Sequence, residues 1–169
     1  MFNTQLPARS LARNGILMGL AGGLAEVAVV CSYTALTGGD AAVVGQGIAA
    51  AVGLNGASAW VGLGVHMGLA AALGVGLCAV LGRMHGSRGT EGSVRLVIAS
   101  LVVVWVVNFF AVLPLLSPSF VHLLPYAVTL ESKLAFAVAA AGMMRFGAPA
   151  DVSLFARGRR STGLAAVGN

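Results

Sequence analysis

Charged side chains make up only 9% of the 169 residues, whereas an ordinary soluble domain carries roughly a quarter. Hydrophobic residues reach 58%, and the mean hydropathy is +0.93. So few charges cannot cover a folded globule, and a water-soluble domain is excluded. The length suits one domain, and the apolar runs described below leave no room for a separate soluble enzyme domain. We therefore expect a non-enzymatic membrane protein.

Cysteine is also scarce, with only Cys31 and Cys78 in the chain. Each lies near the end of an apolar run, and consecutive spans cross a bilayer in opposite directions. The two thiols should therefore lie in opposite leaflets, too far apart for a disulfide. This argues against a thiol oxidant with paired cysteines.

Long apolar runs dominate what is present, and four of them approach the roughly 20 residues that a helix needs to cross a bilayer. They are Gly15–Leu36, Ala59–Leu81, Val94–Leu113 and Tyr126–Phe146. A further apolar segment, Ala41–Leu54, would reach only about 21 Å as a helix. We predict an all-α integral membrane four-helix bundle over residues 1–146, with a short surface or re-entrant helix between spans one and two.

The arginines predict the orientation of these spans. All nine fall on one side of a four-span topology, whereas the connections 37–58 and 114–125 contain no Lys or Arg. The positive-inside rule then puts both termini in the cytoplasm, with 147–169 as a cytoplasmic basic tail. The net charge of +5 therefore favours topology and anionic lipid over a nucleic-acid partner. The first run is too long for a cleaved secretory signal, so we expect it to remain as a helix.

Glycines at helical spacing predict where helices approach closely, because small residues let two backbones come together. In the first span they are Gly15, Gly19, Gly22 and Gly23, and in the second Gly64, Gly68 and Gly76, with Ala72 in the same row. We predict a close crossing of spans one and two along these two stripes.

One acidic residue, Glu26, falls at the midpoint of span one. An ionised carboxylate there costs about 2.5–3.5 kcal/mol on insertion scales. Its spacing from Gly19 and Gly23 puts it on the glycine face, pointing into the bundle. It is therefore either protonated or paired.

Candidate partners for Glu26 follow from depth. His66 and Lys133 each lie seven residues inside the outer ends of their spans, about 10 Å deep, and Asn108 lies near the outer end of span three. We predict a buried polar cluster in the outer half, in which Glu26 pairs with Lys133 or hydrogen-bonds His66, and Asn108 borders the cluster. His66 lies opposite the Gly64 stripe of its own helix, which favours Lys133.

Two further polar residues are predicted at the outer interface. Glu131 is only two residues from Lys133, so the two side chains point to different helix faces and should not pair. We expect Glu131 to reach the interface near His122 and Tyr126. No metal-ligand spacing is present in the sequence, and haem would need His66 and His122 as its only conceivable axial pair.

Two functions remain open. A polar cluster that sets the register of the bundle predicts a structural or accessory subunit, held in a larger membrane complex or a homo-oligomer. Alternatively, Glu26 exchanges a proton or binds a cation in a small membrane transporter. An acid in the first helix is similar to that of small multidrug carriers, but those are shorter and lack one-sided arginines.

The plan of the chain resembles that of uncharacterised small four-span bacterial inner-membrane proteins. The resemblance covers residues 15–146 and rests on the acid in span one, the histidine in span two and the Asn-Phe-Phe-x-x-x-Pro run from Asn108 to Pro114. It implies a multi-pass protein of the bacterial inner membrane and no particular activity. Those proteins often carry a histidine in span four, where this chain has Glu131 and Lys133.

Overall fold

The computed structural model describes residues 8–84 and 90–146, and these residues form helices and no strand. The helices are α1 (Ala8–Thr37), α2 (Ala41–Ala51), α3 (Ala59–Met84), α4 (Thr90–Val107), α5 (Leu113–Leu116), α6 (Pro118–Val121) and α7 (Tyr126–Phe146). A π-helical turn, Asn108–Val112, joins α4 to α5. The all-α prediction is confirmed for this part of the chain. The predicted basic tail, 147–169, lies outside the described residues.

Three of the described helical stretches are long and apolar enough to cross a membrane: Ser10–Thr37, Ala59–Gly82 and Val94–Leu116. Helix α7 is not among them. Its first two turns carry Thr129, Glu131, Ser132 and Lys133, which lower its hydropathy. Residues 8–84 and 90–146 therefore contain three helices able to span a bilayer by length and composition.

Helix α1 lies at the centre of the fold, with α3 and α7 packed against it and α4 packed against α7. One core cluster joins all four helices and includes Met18, Leu77, Leu101 and Phe136. Much of the remaining apolar surface is exposed, as in Trp60 at 79% and Val138 at 74%. A soluble protein would bury such side chains, so this surface suits lipid or other helices.

The crossing of α1 and α3 depends on glycine in α1. A Cβ added at Gly15 would lie 2.6 Å from Val75 Cα, and one at Gly19 would overlap the backbone of Ala70. On the opposite helix, Gly74 faces Gly15 and Gly19 at equally short range. The two backbones touch here, which no larger residue would permit.

The stripe predicted on the second span is wrong. A Cβ at Gly64, Gly68 or Gly76 would meet no atom of the described residues within 4 Å. Helix α3 instead presents Ala70 and Gly74 to α1, a row of small residues on another side of the same helix. Because α3 is apolar around its whole circumference, small-residue spacing alone could not decide between its two rows.

The connection between α1 and α3 is shaped by glycines that end helices. Gly38 takes φ 72° after α1, and the N–H of Gly39 donates to Thr34 O at 2.8 Å. Gly53 takes φ 85° after α2, and Leu54 N–H donates to Ala49 O at 3.0 Å. Both are Schellman-type ends, which need a left-handed residue that glycine supplies without strain.

Helix α2 is shorter than the predicted Ala41–Leu54. Asp40 caps it by accepting from Ala42 N–H at 2.8 Å, and its 11 residues reach only about 16 Å. It packs on the start of α3, where Gly45 and Gly62 bring the two backbones into contact. Helix α2 thus packs against the first turn of α3.

The π-helical turn has a local cause. Pro114 lacks the N–H that would bond to Phe110 O, and its ring would crowd that carbonyl in an ordinary helix. The chain widens instead, and Leu113 N–H donates to Asn108 O, one residue further back than in an α-helix. Helix α6 begins directly after this region, at Pro118.

The two glycine rows predict opposite responses to the same substitution. Gly19→Leu forces α1 and α3 apart and should cost about 3 kcal/mol or more, which is the upper range for overpacking. Gly68→Leu adds a side chain into open space and should leave stability within about 0.5 kcal/mol of the wild type. Unfolding of the purified protein in detergent, followed by circular dichroism, measures both. Equal losses in the two variants would contradict this packing.

Candidate functional site: a buried carboxylate between three helices

Glu26 is buried, with 4% of its surface exposed, although it is acidic and lies in an apolar helix. The Lys133 ammonium of α7 lies 2.5 Å from Glu26 Oε1. His66 Nε2 of α3 lies 3.5 Å from Glu26 Oε2. The two predicted alternatives for pairing are therefore both present, and Glu26, His66 and Lys133 together form what we call the buried polar cluster.

The imidazole of His66 also reaches the backbone of α1. Its Nε2 lies 3.3 Å from Gly23 O as well as 3.5 Å from Glu26 Oε2. Both neighbours are acceptors, so a proton on Nε2 satisfies the carbonyl and faces the carboxylate. The prediction that His66 faces away from α1 was wrong, because it assumed that the Gly64 row contacts α1. His66, Ala70 and Gly74 follow one another at four-residue spacing and share the face toward α1.

Helix α7 also comes close to α1 at a glycine of α1. A Cβ at Gly22 would lie 2.6 Å from ring carbons of Phe136, so that ring occupies the space beside the glycine. Phe136 is completely buried and lies one turn after Lys133. The contact between Gly22 and Phe136 therefore brings the lysine to the depth of Glu26.

Charge balance inside the cluster is favourable. Glu26 and Lys133 carry opposite charges, so the closest contact in the cluster is attractive. Glu26 Oε1 receives Lys133 as a close ion pair, but it accepts no hydrogen bond of ordinary geometry from the described residues. The side chains of His66 and Lys133 retain 20% and 16% exposure, so only the carboxylate is enclosed on all sides.

Asn108 does not border the cluster as predicted. It begins the π-helical turn and lines a shallow groove with valines of the same helix. No hydrogen bond or ion pair within residues 8–84 and 90–146 joins it to Glu26. Helix α4 packs against α7 and is therefore displaced from α1, where the carboxylate lies.

The two residues predicted at the outer interface, His122 and Glu131, are both exposed. His122 is exposed at the end of α6. Glu131 is exposed and lines an open groove between α1 and α7 together with Ser32 and Tyr33. The structure places Glu131 beside the end of α1, and its expected proximity to His122 stays a prediction.

A second polar contact between helices escaped the sequence reasoning. Trp105 Nε1 of α4 donates to Thr129 Oγ1 of α7 at 3.0 Å, and Thr129 in turn donates to Tyr126 O at 2.9 Å. Ser132 Oγ donates to Thr129 O at 2.8 Å. The signal was available, since hydroxyl residues recur at three-residue spacing in α7 and a single tryptophan lies in the adjacent span.

No three His, Cys, Asp or Glu side chains gather as metal ligands in the part of the chain that is described. The buried polar cluster can hold charge, share a proton or fix helix positions. Comparisons with protein-family models, with curated proteins and with solved structures found no match.

Proposed function

We propose that this chain is a non-enzymatic, four-span protein of a bacterial inner membrane, with both termini in the cytoplasm. In this proposal it serves as a structural or accessory subunit of a larger membrane complex. The buried polar cluster locks the bundle together in its outer half, and the exposed apolar faces contact lipid and partner helices.

The inclusion of α7 as the fourth span is supported by where its polar side chains go. Thr129 and Ser132 are each only 6% exposed, and Lys133 is paired with Glu26. The outward side of the helix carries exposed Leu134 and Val138. Its low overall hydropathy therefore reflects residues that the protein itself satisfies, with Glu131 as the exception.

The observation that carries the structural role is the enclosure of Glu26. Its carboxylate touches α3 and α7 at once, and it does not line either of the grooves between α1 and α7 or along α4. A carrier needs a cavity in which its acid meets the transported ion. An acid sealed by two side chains instead favours a fixed helix arrangement.

Proton or cation transport through Glu26 is the second candidate. It is favoured by the partial exposure of His66 and Lys133, which lets protons exchange with the cluster from its edge. The pair differs from a transport site in that Lys133 already neutralises the acid. Transport would require this pair to open during each cycle.

Topology gives the first test. In a chain with Cys31→Ser and Cys78→Ser, a membrane-impermeant maleimide should label Ser119→Cys in intact cells. Ser87→Cys, in the arginine-bearing link, should be labelled only after the cells are broken. Gel shifts after labelling measure both. Labelling of Ser87→Cys from outside would contradict the proposed orientation.

A charge-free pair separates the two functions. The double variant Glu26→Gln with Lys133→Met removes both charges and leaves no buried ion unpaired, so we expect it to fold. A structural subunit should co-purify with the same partners as the wild type in mild detergent, and the wild-type proteoliposomes should show no pH-dependent flux. We measure which proteins co-purify with each variant, and we measure uptake driven by a pH gradient in proteoliposomes.

Two results would contradict the structural role. One is a wild-type protein that purifies alone as a single homogeneous species. The other is pH-dependent flux in wild-type proteoliposomes that disappears in the folded double variant. The second result would establish transport in its place.

A further inference from the structure

Glu131 is an exposed carboxylate on a proposed membrane-spanning helix, about 7 Å below the outer end of α7 at 1.5 Å per residue. It has no ion pair among the described residues. Lys133 is engaged by Glu26. An unpaired acid on a membrane-spanning helix carries a cost, which a cation from outside these contacts would relieve.

The chain itself offers little to meet this need. The outer connections contain no Lys or Arg, and under the proposed topology every arginine lies on the opposite side of the bilayer. His122 is the one histidine in those connections. This charge pattern points to a ligand that carries its own ammonium group.

The residues around Glu131 indicate which other chemical groups that ligand would carry. The carboxylate opens into a groove of about 380 Å³ between α1 and α7, within the size range of small-molecule sites. Ser32 and Tyr33 line the same groove and supply two hydroxyl donors. Val29, Leu36 and Val128 supply its apolar wall. Side chains on a helix tilt toward its N-terminus, so Glu131 points toward the outer surface.

We propose that this groove binds the headgroup of an aminophospholipid from the outer leaflet. The primary ammonium donates hydrogen bonds to Glu131, the phosphate accepts from the hydroxyls of Ser32 and Tyr33, and the first acyl methylenes lie on the apolar wall. The inference rests on the proposed membrane placement. It adds a specific lipid to that proposal.

The test is lipid retention. Wild-type protein is reconstituted into phosphatidylglycerol vesicles that contain either phosphatidylethanolamine or phosphatidylcholine, and extracted in mild detergent. Retained lipid is counted by native mass spectrometry. We expect phosphatidylethanolamine to be retained over both other lipids, because a trimethylammonium group cannot donate hydrogen bonds to the carboxylate. Glu131→Gln should lower the retention of phosphatidylethanolamine roughly tenfold, a factor equivalent to about 1.4 kcal/mol.

Two further variants sharpen the result. His122→Gln alters an exposed polar residue outside the groove and should retain lipid as the wild type does. Tyr33→Phe with Ser32→Ala keeps the carboxylate but removes both hydroxyl donors, and should also reduce retention. Circular dichroism and vesicle flotation verify folding and insertion first.

Outcomes against the proposal differ from those against membrane placement. Equal retention of phosphatidylethanolamine by wild type and Glu131→Gln, or equal retention of phosphatidylcholine by the wild type, overturns the lipid site. A wild type that fails to float with vesicles overturns the membrane placement and the lipid site with it. Loss of retention in His122→Gln equal to that in Glu131→Gln also overturns the groove as the binding place.

Discussion

The contact of one carboxylate with two neighbouring helices constrains the whole fold. Glu26 is on the central helix, and its two oxygens meet Lys133 of α7 and His66 of α3. A shift of α3 or α7 by one turn, about 5.4 Å, would break the contact that this helix makes with Glu26. Leaving one member of a buried pair alone costs about 3–5 kcal/mol. The cluster therefore specifies depth and rotation where apolar packing alone discriminates weakly.

Glycine makes this contact geometrically available. The small residues of α1 let α3 approach on one side and the Phe136 ring of α7 on the other. Without that proximity, the imidazole of His66 could not reach both Glu26 and Gly23 O. Packing and electrostatics are thus coupled, since the close backbones bring His66 and Lys133 within contact distance of Glu26.

The sequence predicted the helices and the central acid well because each depends on local composition. Glu26 was identified because a charge is conspicuous in an apolar run, and Lys133 because its depth matched. The predicted contact face of α3 was wrong, since this largely apolar helix carries two small-residue rows and spacing alone does not choose between them. Asn108 was misplaced for a similar reason. The sequence predicts its depth along span three, but it does not predict that α4 packs against α7. The π-helical turn that precedes Pro114 was not predicted.

The most direct measurement of the central claim is a double-mutant cycle on Glu26→Gln and Lys133→Met. Unfolding free energies in mixed micelles of the wild type, both single variants and the double variant give the coupling energy of the pair. We expect a coupling of about 1–3 kcal/mol, the range for residues in direct contact. The same cycle with Glu131→Gln in place of Glu26→Gln should give a coupling near zero. A coupling near zero for Glu26 and Lys133 would contradict the account.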